Sequence, residues 1–223
     1  MIKAVVFDMD GVLTETSDQH FKAWGRLAEE LGYTLSYGVK DAVRGISRLA
    51  SLDIVLKAIN GEKRFTEKEK HALAEKKNQY YIESINKFTA ENLSEGAIDL
   101  LELLKEKGMK IALASASRNS EFLLRAMGIK QYFDVIVDPA GIKNGKPAPD
   151  IFLKAAELLG LAPGECIGIE DAYAGIESIK RAGMTAVGVG DAKVLSNCSV
   201  VFDNLEGVYS YFKQLFNSNG NVQ

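Results

Sequence analysis

Short, unbroken apolar runs recur along this chain, separated by stretches in which apolar residues return every three or four positions. The runs predict strands at Ala4–Phe7, Lys110–Ser115, Phe133–Val137, Glu165–Ile169, Met184–Val189 and Ser199–Phe202. Strands that are apolar throughout, rather than alternating, are those covered by helices on both faces of a parallel sheet. Helical periods fill the gaps: Gly96–Lys107 on an apolar face of Ile98, Leu101 and Leu104, then Arg118–Met127, Asp150–Leu159, Tyr173–Ala182 and Gly207–Phe216. Gly108, Gly128, Gly160 and Gly183 follow four of these as helix stops. The pattern predicts a doubly wound, Rossmann-like α/β fold.

Residues 15–88 break the alternation, with helical periods and little strand. Thr16-Ser-Asp-Gln19 has capping-box spacing ahead of Phe21, Trp24, Ala28 and Leu31, and Thr66–Glu69 opens a helix running through Leu73, Tyr80 and Ile85. Between them Leu52, Val55, Leu56 and Ile59 form another apolar face. The expected organisation is a core of residues 1–14 and 89–216, a helical cap of residues 15–88 inserted after the first strand, and a polar, frayed tail at 217–223. Hinges are expected near Glu15–Thr16 and Phe88–Leu93.

Composition narrows the partners. The 223 residues are 47% hydrophobic and carry a net charge of −3. With no basic surplus, nucleic acid and anionic membranes are not expected partners, and a phosphate site must rest on a few placed residues. Neither Cys166 nor Cys198 belongs to a metal-spaced cluster. No signal-peptide pattern or membrane-length apolar run is present, so a cytoplasmic location is expected.

The chemistry concentrates at strand ends, where open parallel sheets bind ligands. Asp8 and Asp10 follow the first strand two residues apart, so both side chains can enter one space. A turn capped by aspartates would explain the pair alone. Three later strand ends add Ser115-Ala-Ser-Arg-Asn119, Lys146 ahead of Pro149-Asp150, and Glu170-Asp171. Singly, each has a bland reading as strand end, solvated loop or helix cap. Together they describe a carboxylate-lined pocket for a hard, oxygen-loving cation, with a lysine and a hydroxyl for a phosphoryl group.

These motifs resemble, in order and over essentially the whole chain, the haloacid dehalogenase superfamily of phosphotransferases. Within it, Phe7-Asp-Met-Asp-Gly-Val-Leu-Thr14, His20 with Trp24, Gly45-Ile-Ser-Arg48, Leu113–Ser117, Lys146–Phe152 and Gly168–Asp171 are most similar to the β-phosphoglucomutase group. The resemblance implies a nucleophilic Asp8, an acid/base Asp10, and one Mg²⁺ on Asp8, the Asp10 backbone carbonyl, Glu170 and Asp171. It implies that Ser115 and Lys146 hold the transferring phosphoryl group. Thr16 and His20 would join hinge and cap to the closed state. Gly45, Ile46, Arg48, Ser117, Arg118 and Asn119 would contact the sugar or its second phosphate, with Arg44, Trp24 and Lys77 as further cap contacts.

The implied reaction interconverts β-D-glucose 1-phosphate and glucose 6-phosphate, with glucose 1,6-bisphosphate as activating donor, in a monomer. Glu15, Arg44 and Arg118 depart from the group's usual Asp, Lys and Lys but keep the charge. A sugar-phosphate phosphatase sharing the core motifs is the alternative. A halide-releasing enzyme has no need of Asp10 or a cation site, and a catalytically dead binding module has no need to keep Asp8, Asp10, Lys146 and Glu170-Asp171.

Overall fold

The computed structural model describes residues 1–61 and 64–219. Six strands, β1 (Ala4–Phe7), β2 (Lys110–Leu113), β3 (Val135–Ile136), β4 (Cys166–Glu170), β5 (Thr185–Val189) and β6 (Val201–Phe202), form one sheet in the order β3-β2-β1-β4-β5-β6. Every pairing is parallel. β1 is therefore central, and both its faces are covered. Val5 and Phe7 join a core with α4 (Ala97–Glu106), α5 (Ser120–Ala126) and α8 (Leu205–Asn219), while Ala4 and Val6 join one with α6 (Asp150–Leu159) and α7 (Tyr173–Arg181). Each fully buried Leu, Ile or Phe contributes about 1.5–3 kcal/mol.

The helices α1 (Ser17–Glu30), α2 (Arg48–Ala58) and α3 (Glu67–Ile85) have a core of their own around Trp24, Leu27, Leu52, Val55 and Leu56. α3 touches both cores: Ala74 belongs to the helical one, Tyr81 and Ile85 to the sheet's. The two chain crossings into this helical layer lie side by side, because Ser94 N donates to Leu13 O at 2.9 Å and Thr14 Oγ1 to Asn92 O at 2.7 Å.

Several local expectations are corrected. The capping box at Thr16 does not form, because the hydroxyl is drawn to Asp10 instead. The box at Thr66–Glu69 does form. Ile98 is exposed, and Ala97, Leu100, Leu101 and Leu104 make the buried face of α4. α5 starts at Ser120 rather than Arg118, since the Ser115 and Ser117 hydroxyls accept from Ser117 N and Asn119 N and hold the preceding turn. β3 and β6 are two residues each, shorter than expected. α8 continues through Asn219, so residues 217–219 are helical rather than frayed, and the remaining tail, 220–223, lies outside the described residues. Among the described residues, no helix is long and apolar enough to cross a membrane.

Candidate active site

At the carboxyl end of the sheet, Asp8, Glu170 and Asp171 converge. All three are buried, and each offers a carboxylate oxygen within 4.8 Å of the others. Two glycines make the approach possible. Gly11, at φ +84°, lies against the Asp171 carboxylate, and Gly175 in α7 against that of Glu170; a Cβ at either would collide with it. Lys146 Nζ bridges Asp8 Oδ1 at 2.6 Å and Glu170 Oε1 at 2.7 Å. The other Glu170 oxygen accepts from Asp171 N and Ala172 N.

Burial drives these titrations. It pushes the Asp8 carboxyl up, Lys146 opposes it, and Glu170 and Asp10 add to it, for a net pKa of about 7. Burial and Glu170 hold Asp171 well above its ordinary value against the pull of Arg44. Burial opposes the charge of Lys146, but Asp8 and Glu170 outweigh it and raise its pKa.

Three buried carboxylates share two cations, Lys146 and Arg44. With all three ionised the site carries one more negative than positive charge, on oxygen donors only, and the raised pKa values of Asp8 and Asp171 express that excess. That donor set fits a hard divalent cation such as Mg²⁺ better than zinc or copper.

Asp10 points elsewhere. Its Oδ1 accepts from the Thr16 hydroxyl and, at 3.3 Å, from Tyr81, and lies 3.5 Å from His20 Nε2. Its side chain thus stands apart from the three-carboxylate cluster. Burial raises the Asp10 carboxyl, but His20, Thr16 and Lys77 outweigh burial and hold it below its ordinary value. His20 stacks on Tyr81 with ring centroids 3.9 Å apart. Lys77, only 2% exposed, sits over the Trp24 and Tyr81 rings, and burial with the nearby Arg48 lowers its pKa to about 7.

A cavity of about 280 Å³ joins these groups. Asp8, Asp10, His20, Trp24, Gly45, Ile46, Arg48, Lys77, Ser117, Arg118, Asn119 and Lys146 all line it. Five basic side chains (Arg48, Lys77, Arg118, Lys143, Lys146) face it against three carboxylates, so an acidic chain surrounds a locally basic space. Ser115, Thr16, Glu170 and Asp171 lie outside its lining; Ser115 and Thr16 are buried. Arg44, expected to contact substrate, instead reaches from the helical layer to the Asp171 carboxylate and lines a separate cavity. Its charge is satisfied there, which turns it from the main cavity.

Sequence reading missed four lining or supporting residues. Tyr81 supports Asp10. Asn78 accepts from Asn119 Nδ2 at 2.8 Å, tying α3 to the β2 loop. Glu75 pairs with Arg48 at 2.9 Å. His71 is exposed and also lines the cavity. The i, i+3, i+4, i+7 spacing of 71, 74, 75 and 78 was a readable sign of one shared helical face.

The family model of the haloacid dehalogenase-like hydrolases matches residues 2–183. The chain belongs to this family. Among haloacid dehalogenase-like relatives, the β-phosphoglucomutase of Bacillus subtilis is 44% identical over 200 residues, covering 90% of this chain and 88% of that protein. The phosphorylated carbohydrates phosphatase of Thermotoga maritima is 32% identical over 90% of this chain and 93% of its own length. A crystal structure of β-phosphoglucomutase from Clostridium difficile superposes with a TM-score of 0.93 at 40% identity, covering 98% of this chain and 99% of that one.

Proposed function

We propose that this protein is a β-phosphoglucomutase, interconverting β-D-glucose 1-phosphate and glucose 6-phosphate. One observation carries the reading: Asp8 with Lys146, and Arg48 with Arg118, line the same cavity, with Asp10 beside them. A mutase needs two phosphate sites on one sugar, whereas hydrolysis needs one. The similarity to the Bacillus subtilis and Clostridium difficile mutases supports the same reading.

In this reading the Asp8 carboxylate is the nucleophile and carries the phosphoryl group as an acyl phosphate. Asp10, held below its ordinary pKa and so anionic at neutral pH, takes the proton from the sugar C6 hydroxyl as that oxygen attacks phosphorus. The phosphoryl–Asp8 bond breaks and glucose 1,6-bisphosphate forms. After the bisphosphate turns end for end, Asp8 attacks the C1 phosphorus. Asp10 returns the proton to the departing C1 oxygen, and glucose 6-phosphate leaves. Lys146 and Ser115 neutralise and orient the group in transfer, and Arg48 and Arg118 hold the phosphate that stays behind. Asp8, Glu170, Asp171 and the Asp10 carbonyl would hold Mg²⁺, which supplies charge neutralisation at the phosphoryl oxygens when bound.

Residues 15–88 would act as a cap that closes over the sugar and keeps water from the acyl phosphate. The reading takes the protein as a cytoplasmic monomer acting on small sugar phosphates, with glucose 1,6-bisphosphate priming Asp8.

The test is to supply Mg²⁺, β-glucose 1-phosphate and a trace of glucose 1,6-bisphosphate, with the α-anomer as control. Glucose 6-phosphate from the β-anomer alone, with little inorganic phosphate, is the expected result. Inorganic phosphate without glucose 6-phosphate would make the protein a sugar-phosphate phosphatase, as its Thermotoga maritima relative is named.

A further inference from the structure

Arg48, the cation assigned above to the second phosphate, already has an anion. Its Nη1 donates to Glu75 Oε2 at 2.9 Å, from α2 across to α3, and both residues line the cavity. Glu75 is tethered in turn. Asn78 Nδ2 donates to its other oxygen at 3.3 Å, and Asn78 Oδ1 accepts from Asn119 Nδ2 at 2.8 Å. A neutral amide that donates on one side and accepts on the other fixes the direction of this chain of bonds. Arg118 adds a second positive charge close enough to weigh on Arg48. The subsite therefore holds two arginines and one carboxylate, a resident anion where a ligand anion would sit.

We infer that Glu75 is a displaceable counter-ion that sets how strongly an anion must bind to occupy the distal subsite, a threshold that phosphate passes. A phosphate that docks on Arg48 must take the guanidinium from Glu75. A phosphate dianion carries up to two charges and three acceptor oxygens, and so outcompetes one carboxylate. A carboxylate ligand only matches the anion already present and gains nothing by exchange. Glu75 thus lowers the affinity for every anion and leaves phosphate as the class that still binds. The side chain of Glu75 is 59% exposed, so the competition it offers is that of a solvent-screened pair and the displacement is reversible. The inference rests on the reading of Arg48 as a phosphate ligand, and not on the fate of the sugar.

The test is calorimetric titration of the Mg²⁺-loaded protein with inorganic phosphate, in the parent, Glu75→Gln, Arg48→Gln and the double variant. Gln keeps the size of Glu75 and its bond to Asn78 while removing the charge. Phosphate should bind Glu75→Gln about two- to fivefold more tightly, the range expected for loss of one exposed ion pair. That gain should vanish in the Arg48→Gln background. Unchanged or weaker binding to Glu75→Gln, with Arg48→Gln still weakening it, would overturn the counter-ion role alone. A gain that persists without Arg48 would also overturn it, as a general charge effect. Binding indifferent to Arg48→Gln would overturn the subsite itself. Because the readout is binding, a protein that passes this test yet makes no glucose 6-phosphate would fail only as a mutase.

Discussion

Lys77 Nζ lies 2.7 Å from His20 Nδ1, and the opposite nitrogen of the same ring faces Asp10. Asp10 is held anionic and can only accept, so the ring proton sits on Nε2, toward the carboxylate, and Nδ1 accepts from Lys77. Burial, then Lys77, lower the pKa of His20, which keeps the imidazole neutral. A line of three residues from α3 through α1 to the β1 loop thus fixes one tautomer beside the proposed acid/base.

Lys77→Met should raise stability while lowering turnover. The folded pKa of Lys77 is about 7, below its ordinary 10.5. Below pH 7 the lysine is charged in both states, and the full cost of burying it is present. As pH rises from about 7 toward 10.5 the folded form alone is neutral, and the cost fades. The gain in Tm should therefore be largest near pH 6, several times about 2–4 °C per kcal/mol for a chain of this size, and nearly gone by pH 10. Thermal melts across that range check it, and a gain independent of pH would refute the assignment of charge.

Asp8→Asn should abolish phosphoryl transfer, with a loss on the order of 10⁴-fold or more in kcat, as when other covalent nucleophiles are removed. The fold should persist, since Asn fills the same volume and Lys146 keeps Glu170. Mass spectrometry after exposure to glucose 1,6-bisphosphate should show no phosphoryl adduct. An adduct at parent levels would move the nucleophile elsewhere.

Asp10→Ala should cost about 10²–10⁴-fold in kcat, the usual weight of a general acid/base. Thr16→Val removes one hydroxyl donor to Asp10, and should raise the lower apparent pKa of the pH–rate profile rather than abolish activity. A profile identical to the parent's would show that another group moves the proton.

Arg48→Ala should reduce mutase turnover far more than hydrolysis of a small aryl phosphate, because only the sugar bisphosphate needs a second phosphate site. Parallel steady-state assays compare the two, and equal losses would remove Arg48 from that site.

Gly175→Ala separates helix propensity from packing. Alanine in a helix interior is ordinarily worth about 1 kcal/mol over glycine. Here a Cβ collides with the Glu170 carboxyl, so the variant should lose about 1–3 kcal/mol by overpacking and bind Mg²⁺ more weakly. Chemical denaturation and metal titration measure both. A more stable variant with unchanged metal affinity would show that Glu170 has room to move.

Much of this protein was legible before folding. The apolar runs marked the central strand over its full length, Ala4–Phe7, because a strand covered on both faces has no polar positions to blur its ends. The same logic failed at β3 and β6, whose residues are only partly buried and carry a weaker pattern. Asp8, Asp10, Lys146, Glu170 and Asp171 stood out because strand ends in a parallel sheet converge by topology, whatever the loops do.

What local sequence determined, then, is the set of elements and the chemistry carried at each strand end, since periodicity and spacing act within a few residues. Partner choice was decided only in three dimensions. Thr16 has capping-box spacing, yet its hydroxyl serves Asp10; Arg44 sits in a cavity-facing motif, yet pairs with Asp171 across 127 positions. The spacing of Glu75 and Asn78 puts them on one helical face, but their partners are set only when α3 is laid against Arg48 and Asn119. A charged side chain takes whichever partner relieves its burial best, and that depends on which helices the tertiary fold brings together.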